Sequence, residues 1–234
     1  MSAKKETPRP SAGALTGQAE DYLKAIYEME QGGEPAATNA LAELLGIAPA
    51  SVSGMLQRLS RLGLVQVERY RGTRLTHAGR SAALQLIRRH RIIESYLVTR
   101  LGYGWDEVDE EAERLEHGAS TELVERMAAA LGHPTEDPHG APIPTSDGLI
   151  DERRLQSIAD LAVGQTARVM RMSDRDSAFL RYLAGMGIKP GATVKVAERA
   201  PFDGPLTITV RGVKHQVGIA AAARVYVEAA PSRR

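Results

Sequence analysis

Apolar positions recur every three to four residues in three short stretches near the start of the chain. This pattern predicts helices over residues 16–30, 39–45 and 50–62. Gly46 follows the second stretch and Gly63 follows the third, and glycine is common where helices end. Only residues 46–49 separate the second helix from the third, so the sequence predicts a sharp turn between them.

Strand-like alternation follows the third predicted helix. Residues 64–69 and 73–76 alternate apolar with polar side chains, and Tyr70-Arg71-Gly72 between them is typical of a turn. Three helices followed by a hairpin is the element order of a winged helix-turn-helix, whose third helix enters the major groove of DNA. Since other small three-helix units share part of this order, the side chains of the third helix have to support the assignment.

Polar side chains are grouped where such a domain would contact DNA. Short hydroxyls and a long amide could bond base edges or phosphates, and arginines could neutralise phosphates. The predicted DNA-binding residues are Thr38, Ser51, Ser53, Gln57, Arg58, Arg61, Arg71 and Arg74. The alternative is that Ser51 caps the third helix and that the arginines are ordinary surface charges. Phosphate contacts would make the affinity depend strongly on salt.

Helical periodicity resumes over residues 77–101, 106–116 and 120–131. These helices are too few to close a core of their own, so one face is predicted to be a dimer interface. Residues 134–154 are rich in proline, glycine and aspartate and are predicted to be a linker. Short strands punctuated by glycines follow, with one helix among them, which predicts a small antiparallel β-barrel.

The predicted fold class is therefore mainly α with a small β domain. It comprises a winged helix-turn-helix, a helical dimerisation domain and a C-terminal barrel. The predicted boundaries are a disordered arm at 1–14, the winged domain at 15–77, the helical domain at 78–133, the linker at 134–154 and the barrel at 155–230.

Composition narrows the possible chemistry. The 234 residues include no cysteine, which excludes disulfides, thiolate zinc sites and cysteine nucleophiles. The arm lacks the apolar core of a secretory signal, and no apolar run reaches the roughly 20 residues that span a bilayer, so a cytoplasmic location without a membrane partner is expected. The net charge is only +1, but an arginine-rich stretch at 58–91 precedes an acidic stretch at 106–116. The arginine-rich stretch could bind a polyanion such as DNA, and the acidic stretch could bind a cation.

Ligand-type residues recur at helical spacing on two of the predicted helices. Glu113, Glu116 and His117 project from one helical face, and His90 and Glu94 stand four residues apart on the preceding helix. Two helices that each offer histidine and carboxylate favour a metal site. The alternatives are a solvated acidic face, a metallohydrolase, and a winged-helix regulator that responds to a small organic ligand. No general-base candidate stands beyond the metal-ligand residues, so an enzyme is not expected.

Four motifs together resemble the diphtheria-toxin-repressor family of bacterial iron- or manganese-dependent repressors. They are Glu20-Asp21-Tyr22-Leu23-Lys24-Ala25-Ile26-Tyr27, Ser51-Val52-Ser53-Gly54-Met55-Leu56-Gln57-Arg58-Leu59, His90-Arg91-Ile92-Ile93-Glu94 and Glu113-Arg114-Leu115-Glu116-His117. The resemblance covers residues 16–131. From residue 155 the chain is similar to the FeoA-like, Src-homology-type barrel that many members carry, notably at 183–191 and 201–205. The resemblance to this family implies a homodimeric repressor that binds double-stranded operator DNA when loaded with metal and controls metal-uptake genes.

The same resemblance implies two metal sites. The primary site would comprise Asp21, Glu113, Glu116 and His117. The second would comprise His90 and Glu94, with Asp109 where iron-type members place a histidine, and a loose alignment adds Asp174 or Asp176 from the barrel. Lys24 departs from the pattern, because manganese-type relatives place a glutamate there to build a two-metal cluster and an ammonium group cannot ligate.

The choice of metal follows from the donor atoms. The resemblance places methionine and cysteine of iron-type members at the positions of Asp21 and Glu113, so this chain has harder donors. Oxygen donors with one imidazole suit Mn(II), which is the predicted cofactor, and Fe(II) is the alternative. Zn(II) and Co(II) are expected to substitute in vitro because they bind a given site more tightly than Mn(II) in the first-row series, and Cd(II) is also expected to substitute.

Overall fold

The computed structural model of the protein describes residues 15–31, 33, 35–68, 71–173 and 176–229. The predicted arm at 1–14 and the candidate ligand Asp174 lie outside these residues. The chain divides into two compact units. The first comprises Met1–Arg88 with Pro144–Leu149, and the second comprises Arg89–Ile143 with Ile150–Arg234.

The first unit contains a three-helix bundle and a hairpin. Its elements are α1 (Gly17–Gln31), α2 (Thr38–Leu45), α3 (Pro49–Arg61), β1 (Val65–Glu68), β2 (Gly72–Leu75) and the first half of α4 (His77–Leu101). The chain bends by 109° between α2 and α3, within the range of helix-turn-helix motifs. Gly46 allows this bend because it adopts the left-handed conformation, with φ of 65°. Among the described residues no single helix has the length and apolar character to cross a membrane.

Contacts from both neighbouring helices fix the hairpin in the first unit. A carboxylate oxygen of Glu30, in the last turn of α1, accepts a hydrogen bond from the Leu75 amide at 2.9 Å. Gly79 on α4 packs so closely on the backbone that a Cβ there would lie 1.8 Å from the carbonyl oxygen of Leu64. These two contacts hold the hairpin, which is the wing of the predicted winged domain, just before β1 begins and where β2 ends.

The second unit begins with the rest of α4, followed by α5 (Val108–Glu116) and α6 (Thr121–Ala130). Their apolar faces meet in a core that includes Ile92, Leu97, Val108 and Val124. Ser120 caps α6 by accepting a hydrogen bond from the Leu123 amide.

A six-stranded antiparallel sheet forms the remainder of the second unit. Its strands are β3 (Gln156–Ser157), β4 (Thr166–Met172), β5 (Thr193–Arg199), β6 (Leu206–Val210), β7 (Val213–Val217) and β8 (Val225–Ala229), in the spatial order β3-β8-β4-β5-β6-β7. Along the chain, helix α7 (Ser177–Gly185) follows β4 and precedes β5, and the short α8 (Ile219–Ala222) precedes β8. The predicted fold class is confirmed. Strand β7 was not predicted, because most of its side chains are exposed and its apolar pattern is weak.

The segment before Ile143, which the sequence predicts to be the start of a linker, folds against β4. The Met172 amide donates to the carbonyl oxygen of His139 at 3.1 Å. Gly140, with φ of 83°, lies so close to β4 that a Cβ would be 1.8 Å from the Met170 carbonyl oxygen. Only glycine fits there, and the packing fixes the side chains on either side of it.

Candidate metal centre and nucleic-acid interface

The imidazole of His90 lies among four carboxylates in the second unit. Its Nδ1 is 2.9 Å from Oε2 of Glu116 and 3.7 Å from Oε2 of Glu113, both on α5. Its Nε2 is 3.3 Å from Oδ1 of Asp109 and 3.7 Å from Oε1 of Glu94. The spacing of these residues on α4 and α5 therefore brings one imidazole and four acidic side chains together.

The protonation of His90 follows from these neighbours. Burial by itself would lower the pKa of His90, but the hydrogen bonds to Asp109 and Glu116 and the charge of Glu94 raise it well above the usual value. The four carboxylates thus favour the protonated form of His90, whose single positive charge offsets only part of their negative charge.

A second group of donors lies deeper, around Glu94. Glu94, Asp137 and His139 are all buried, and each offers one ligand-type atom within 4.8 Å of the others. Oε1 of Glu94 is 3.7 Å from Nδ1 of His139, which is beyond hydrogen-bond distance. Within the described part of the chain, neither oxygen of Glu94 has a hydrogen-bond partner.

The donor atoms of this buried group fit a cation. Nε2 of His139 is 2.6 Å from the carbonyl oxygen of Trp105, which can only accept, so Nε2 donates a hydrogen bond to it. In the neutral imidazole Nδ1 then carries a lone pair, and this nitrogen lies on the side of Glu94. Two acceptors that face each other at zero exposure are unfavourable, and a cation between them would satisfy both. Imidazole and carboxylate are ordinary ligands of divalent first-row metals.

Asp137 is held in place by its own loop. Its Oδ1 accepts hydrogen bonds from the amides of His139 and Ala141 at 2.8 and 2.9 Å. Its Oδ2 is 3.3 Å from Nε of Arg91, one residue after His90 on α4. The loop geometry therefore fixes the direction of His139 as well.

The remaining predicted ligands lie on three different elements. Asp21 is half-buried on α1 in the first unit, as is Lys24. His117 is exposed at the end of α5, and it offers a ligand atom within 4.8 Å of those of Glu113 and Glu116. Asp176 caps α7 by accepting from the Phe179 amide at 3.0 Å, and this hydrogen bond lowers its pKa. Since Asp176 is already used as a helix cap, its contribution to a metal site is not supported by its contacts.

Asp137 and His139 were missed in the sequence. Both lie in a segment without helical periodicity, among prolines and glycines. The only available signal was the Asp-Pro-His spacing itself, in which two ligand-type residues flank a proline. Their approach to Glu94 depends on how this segment packs against β4, which local patterns do not predict.

Most of the predicted DNA-binding residues lie around α3. Thr38, Ser53, Gln57 and Arg61 line one exposed groove, and Ser51 and Arg58 are also exposed. The alternative that Ser51 caps α3 is wrong, because Ala48 is the N-cap and Ser51 is the third helical residue. The Ser53 hydroxyl donates to the Pro49 carbonyl at 3.2 Å, within its own helix.

The wing contributes the remaining two arginines. Arg74 is exposed on β2. Arg71, at the tip of the hairpin, lies 3.8 Å from a carboxylate oxygen of Glu68, and its side chain is 81% exposed. Both guanidinium groups can therefore reach a ligand from the wing.

Three protein-family descriptions match successive parts of the chain. Residues 14–73 match the N-terminal DNA-binding domain of iron dependent repressors. Residues 76–145 match the metal binding and dimerisation domain of the same family, and residues 156–229 match the FeoA domain. Together these matches cover most of the chain.

Individual proteins agree with this. The chain is 32% identical to the iron-dependent repressor IdeR of Mycobacterium tuberculosis over 213 residues, which cover 85% of this chain and 90% of that protein. It is similar to a solved manganese-dependent transcriptional repressor in complex with manganese, with 37% identity, a TM-score of 0.83 and coverage of 91% and 100% of the two chains. The manganese regulator SloR gives 33% identity, a TM-score of 0.79 and coverage of 92% and 100%. The chain therefore belongs to the iron-dependent repressor family, the family of the diphtheria toxin repressor, whose members are metal-dependent transcriptional repressors and not enzymes.

Proposed function

We propose that this protein is a manganese-activated repressor that binds operator DNA as a homodimer and controls metal-uptake genes. Its DNA partner implies that it acts in the cytoplasm. The observation that carries the metal half of this proposal is the buried Glu94 carboxylate, which faces the Nδ1 lone pair of His139 without a hydrogen bond. A divalent cation placed between these two groups would be bound by both and would offset the cost of burying the carboxylate.

We infer two metal positions. The primary one uses Asp21, Glu113, Glu116 and His117, as the family resemblance implies. The second uses the donors around Glu94, namely His90, Asp109, Asp137 and His139. A bound divalent ion would supply the positive charge that these carboxylates otherwise obtain from protonated His90. Asp174 remains a prediction that the described residues do not test, and Lys24 argues against a glutamate-bridged pair of ions.

The donor set favours manganese over iron. All of the proposed ligands are carboxylate oxygens or imidazole nitrogens, since the chain has no cysteine. Hard oxygen donors suit Mn(II), while site affinity alone would favour Zn(II) or Co(II). The relatives include both iron-dependent and manganese-dependent repressors. An Fe(II)-responsive repressor is therefore the second candidate, and the experiment has to separate the two.

The domain matches support a DNA-binding surface on the first unit and a dimerisation surface on the helices that follow. Helix α3 would enter the major groove, with Arg58 and Arg61 on phosphates. Exposed apolar side chains on α4, α5 and α6, such as Leu101, Leu115 and Leu123, would meet a second copy of the chain. A two-fold dimer presents two recognition helices, so a palindromic operator with half-sites about one DNA turn apart is expected.

The test measures DNA binding at buffered free metal concentrations under anaerobic conditions. The probe is a fluorescent DNA duplex that carries the region upstream of the gene encoding this protein. It is titrated with protein in the presence of Mn(II), Fe(II), Zn(II), Co(II) or a chelator. Mn(II) should activate binding by at least about tenfold over chelator, a typical allosteric coupling. Equal binding in chelator would overturn the repressor mechanism, and activation by Fe(II) but not Mn(II) would favour the second candidate.

Two variants sharpen the result. Glu116→Gln removes a buried carboxylate that contacts His90, and it should abolish activation by metal. Glu122→Gln is the matched control, because Glu122 is 76% exposed and pairs with Arg126 one turn further along the same helix. It should bind DNA as the unmodified protein does. Loss of activation in both variants would mean that the effect is not specific to the metal site.

A further inference from the structure

The outward face of the recognition helix α3 has an unusual residue at its centre. Buried Val52, Leu56 and Leu59 mark the inner face. The opposite side of the helix carries Ala50, Gly54, Gln57 and Arg61, at i, i+4, i+7 and i+11, and all four are exposed. Gly54 therefore lies at the middle of the surface that α3 presents to solvent.

The packing of the protein does not require glycine at this position. A Cβ built on Gly54 meets no atom within 4 Å, and the backbone there is not in the left-handed region. Gly79 is different, since a Cβ there would collide with Leu64. Alanine is a better helix former than glycine, so an alanine at 54 would fit and would stabilise α3. The packing around α3 therefore gives no reason for glycine at this position.

We propose that Gly54 is a specificity-determining position, whose missing side chain lets the backbone of α3 approach the base edges of the operator. This rests on the proposed function. The major groove is about 12 Å wide and a helix with its side chains about 10–12 Å across, so the central side chain sets the depth of insertion. Glycine is used where a backbone must approach a ligand closely.

The residues on either side of Gly54 indicate the effect of inserting α3 deeply into the major groove. Ser51 and Gln57 stand three residues before and after Gly54, so they flank it on opposite sides of the outward face. Both side chains are exposed and carry groups that bond base edges. When the backbone of α3 approaches the bases at Gly54, the side chains of Ser51 and Gln57 come within reach of the base edges together. A side chain at position 54 would keep both of them further from the bases.

The test compares Gly54→Ala with the unmodified protein on two duplexes. The first is selected from a random library by the Mn(II)-loaded unmodified protein, and the second is a scrambled duplex of equal length and composition. Affinity for the selected duplex should fall by at least about tenfold, the cost of roughly one mismatched base pair. Affinity for the scrambled duplex should change less than about twofold, since phosphate contacts supply it. The melting temperature should rise.

A control and a second variant complete the design. Gly185→Ala makes the same change at the end of α7, where a Cβ also meets nothing within 4 Å, and it should leave DNA binding unchanged. Gly54→Gln should select a different consensus at the centre of each half-site.

Unchanged affinity of Gly54→Ala for the selected duplex would overturn the proposal. Equal losses on both duplexes would also overturn it, because they would indicate a general defect and not a loss of specificity. Either result leaves metal-dependent binding by the unmodified protein intact. The proposed function fails separately, when that protein selects no duplex in Mn(II).

Discussion

Replacing Glu94 by glutamine removes the charge at the centre of the buried donor group while keeping the size of the side chain. Glu94 is fully buried, and its Oε1 lies 3.7 Å from Nε2 of His90 and 3.7 Å from Nδ1 of His139. An amide is a poor metal ligand beside a carboxylate. The Glu94→Gln protein should therefore bind one metal ion fewer per chain than the unmodified protein.

The size of the effect follows from linkage between binding and folding. An ion present at one hundred times its dissociation constant stabilises the folded state by about 2.7 kcal/mol per site. For a chain of this size, 1 kcal/mol corresponds to roughly 2–4 °C of melting temperature. Loss of one site should thus reduce the metal-induced rise in melting temperature by about 5–11 °C at that concentration.

Calorimetry can measure both quantities. Isothermal titration of the chelator-treated protein with Mn(II) gives the number of ions per chain, and scanning calorimetry with and without Mn(II) gives the thermal shift. Glu122→Gln again serves as the control for loss of a glutamate on the same unit. The reasoning about the buried group is refuted when Glu94→Gln keeps both the full stoichiometry and the full thermal shift.

Four further results are expected. Arg58→Gln and Arg61→Gln should each reduce the slope of log affinity against log salt by roughly 0.9 on any duplex, and unchanged slopes in filter binding would remove these residues from the phosphate contacts. Leu123→Glu should convert the dimer to monomers in sedimentation, because this exposed side chain would place a charge in the proposed interface; a persisting dimer would locate the interface elsewhere. Gly140→Ala should lower the melting temperature by several degrees, since a Cβ would collide with β4, and an unchanged value would contradict the packing. Hydrogen bonds from the hydroxyl and amide of Ser157 lower the pKa of Asp160, so its stabilising effect should be present at pH 7 and be lost as the pH falls through that lowered pKa; Asp160→Asn should then melt earlier at pH 7, by a difference that shrinks as the pH falls, and a difference independent of pH would contradict this.

The sequence could predict those parts of the site that depend on local geometry. His90 and Glu94 are one helical turn apart, as are Glu113 and Glu116, so periodicity alone placed each pair on one face. The order of helices and hairpin also followed from periodicity and glycine positions. Asp137 and His139 could not be found in this way, because they lie in an irregular segment whose path is set by contacts with a strand thirty residues further along the chain.

These contacts also bear on what the barrel domain does for the metal centre. Asp176, the one described barrel residue predicted as a ligand, is used as the cap of α7. The barrel instead acts through the backbone: β4 binds the carbonyl of His139 through the Met172 amide, and Gly140 packs against Met170. His139 is thus held between β4 and the Trp105 carbonyl, with Nδ1 directed towards Glu94. Because a metal site depends on the groups that orient its ligands, the barrel can support the second centre without contributing a donor atom from its described residues.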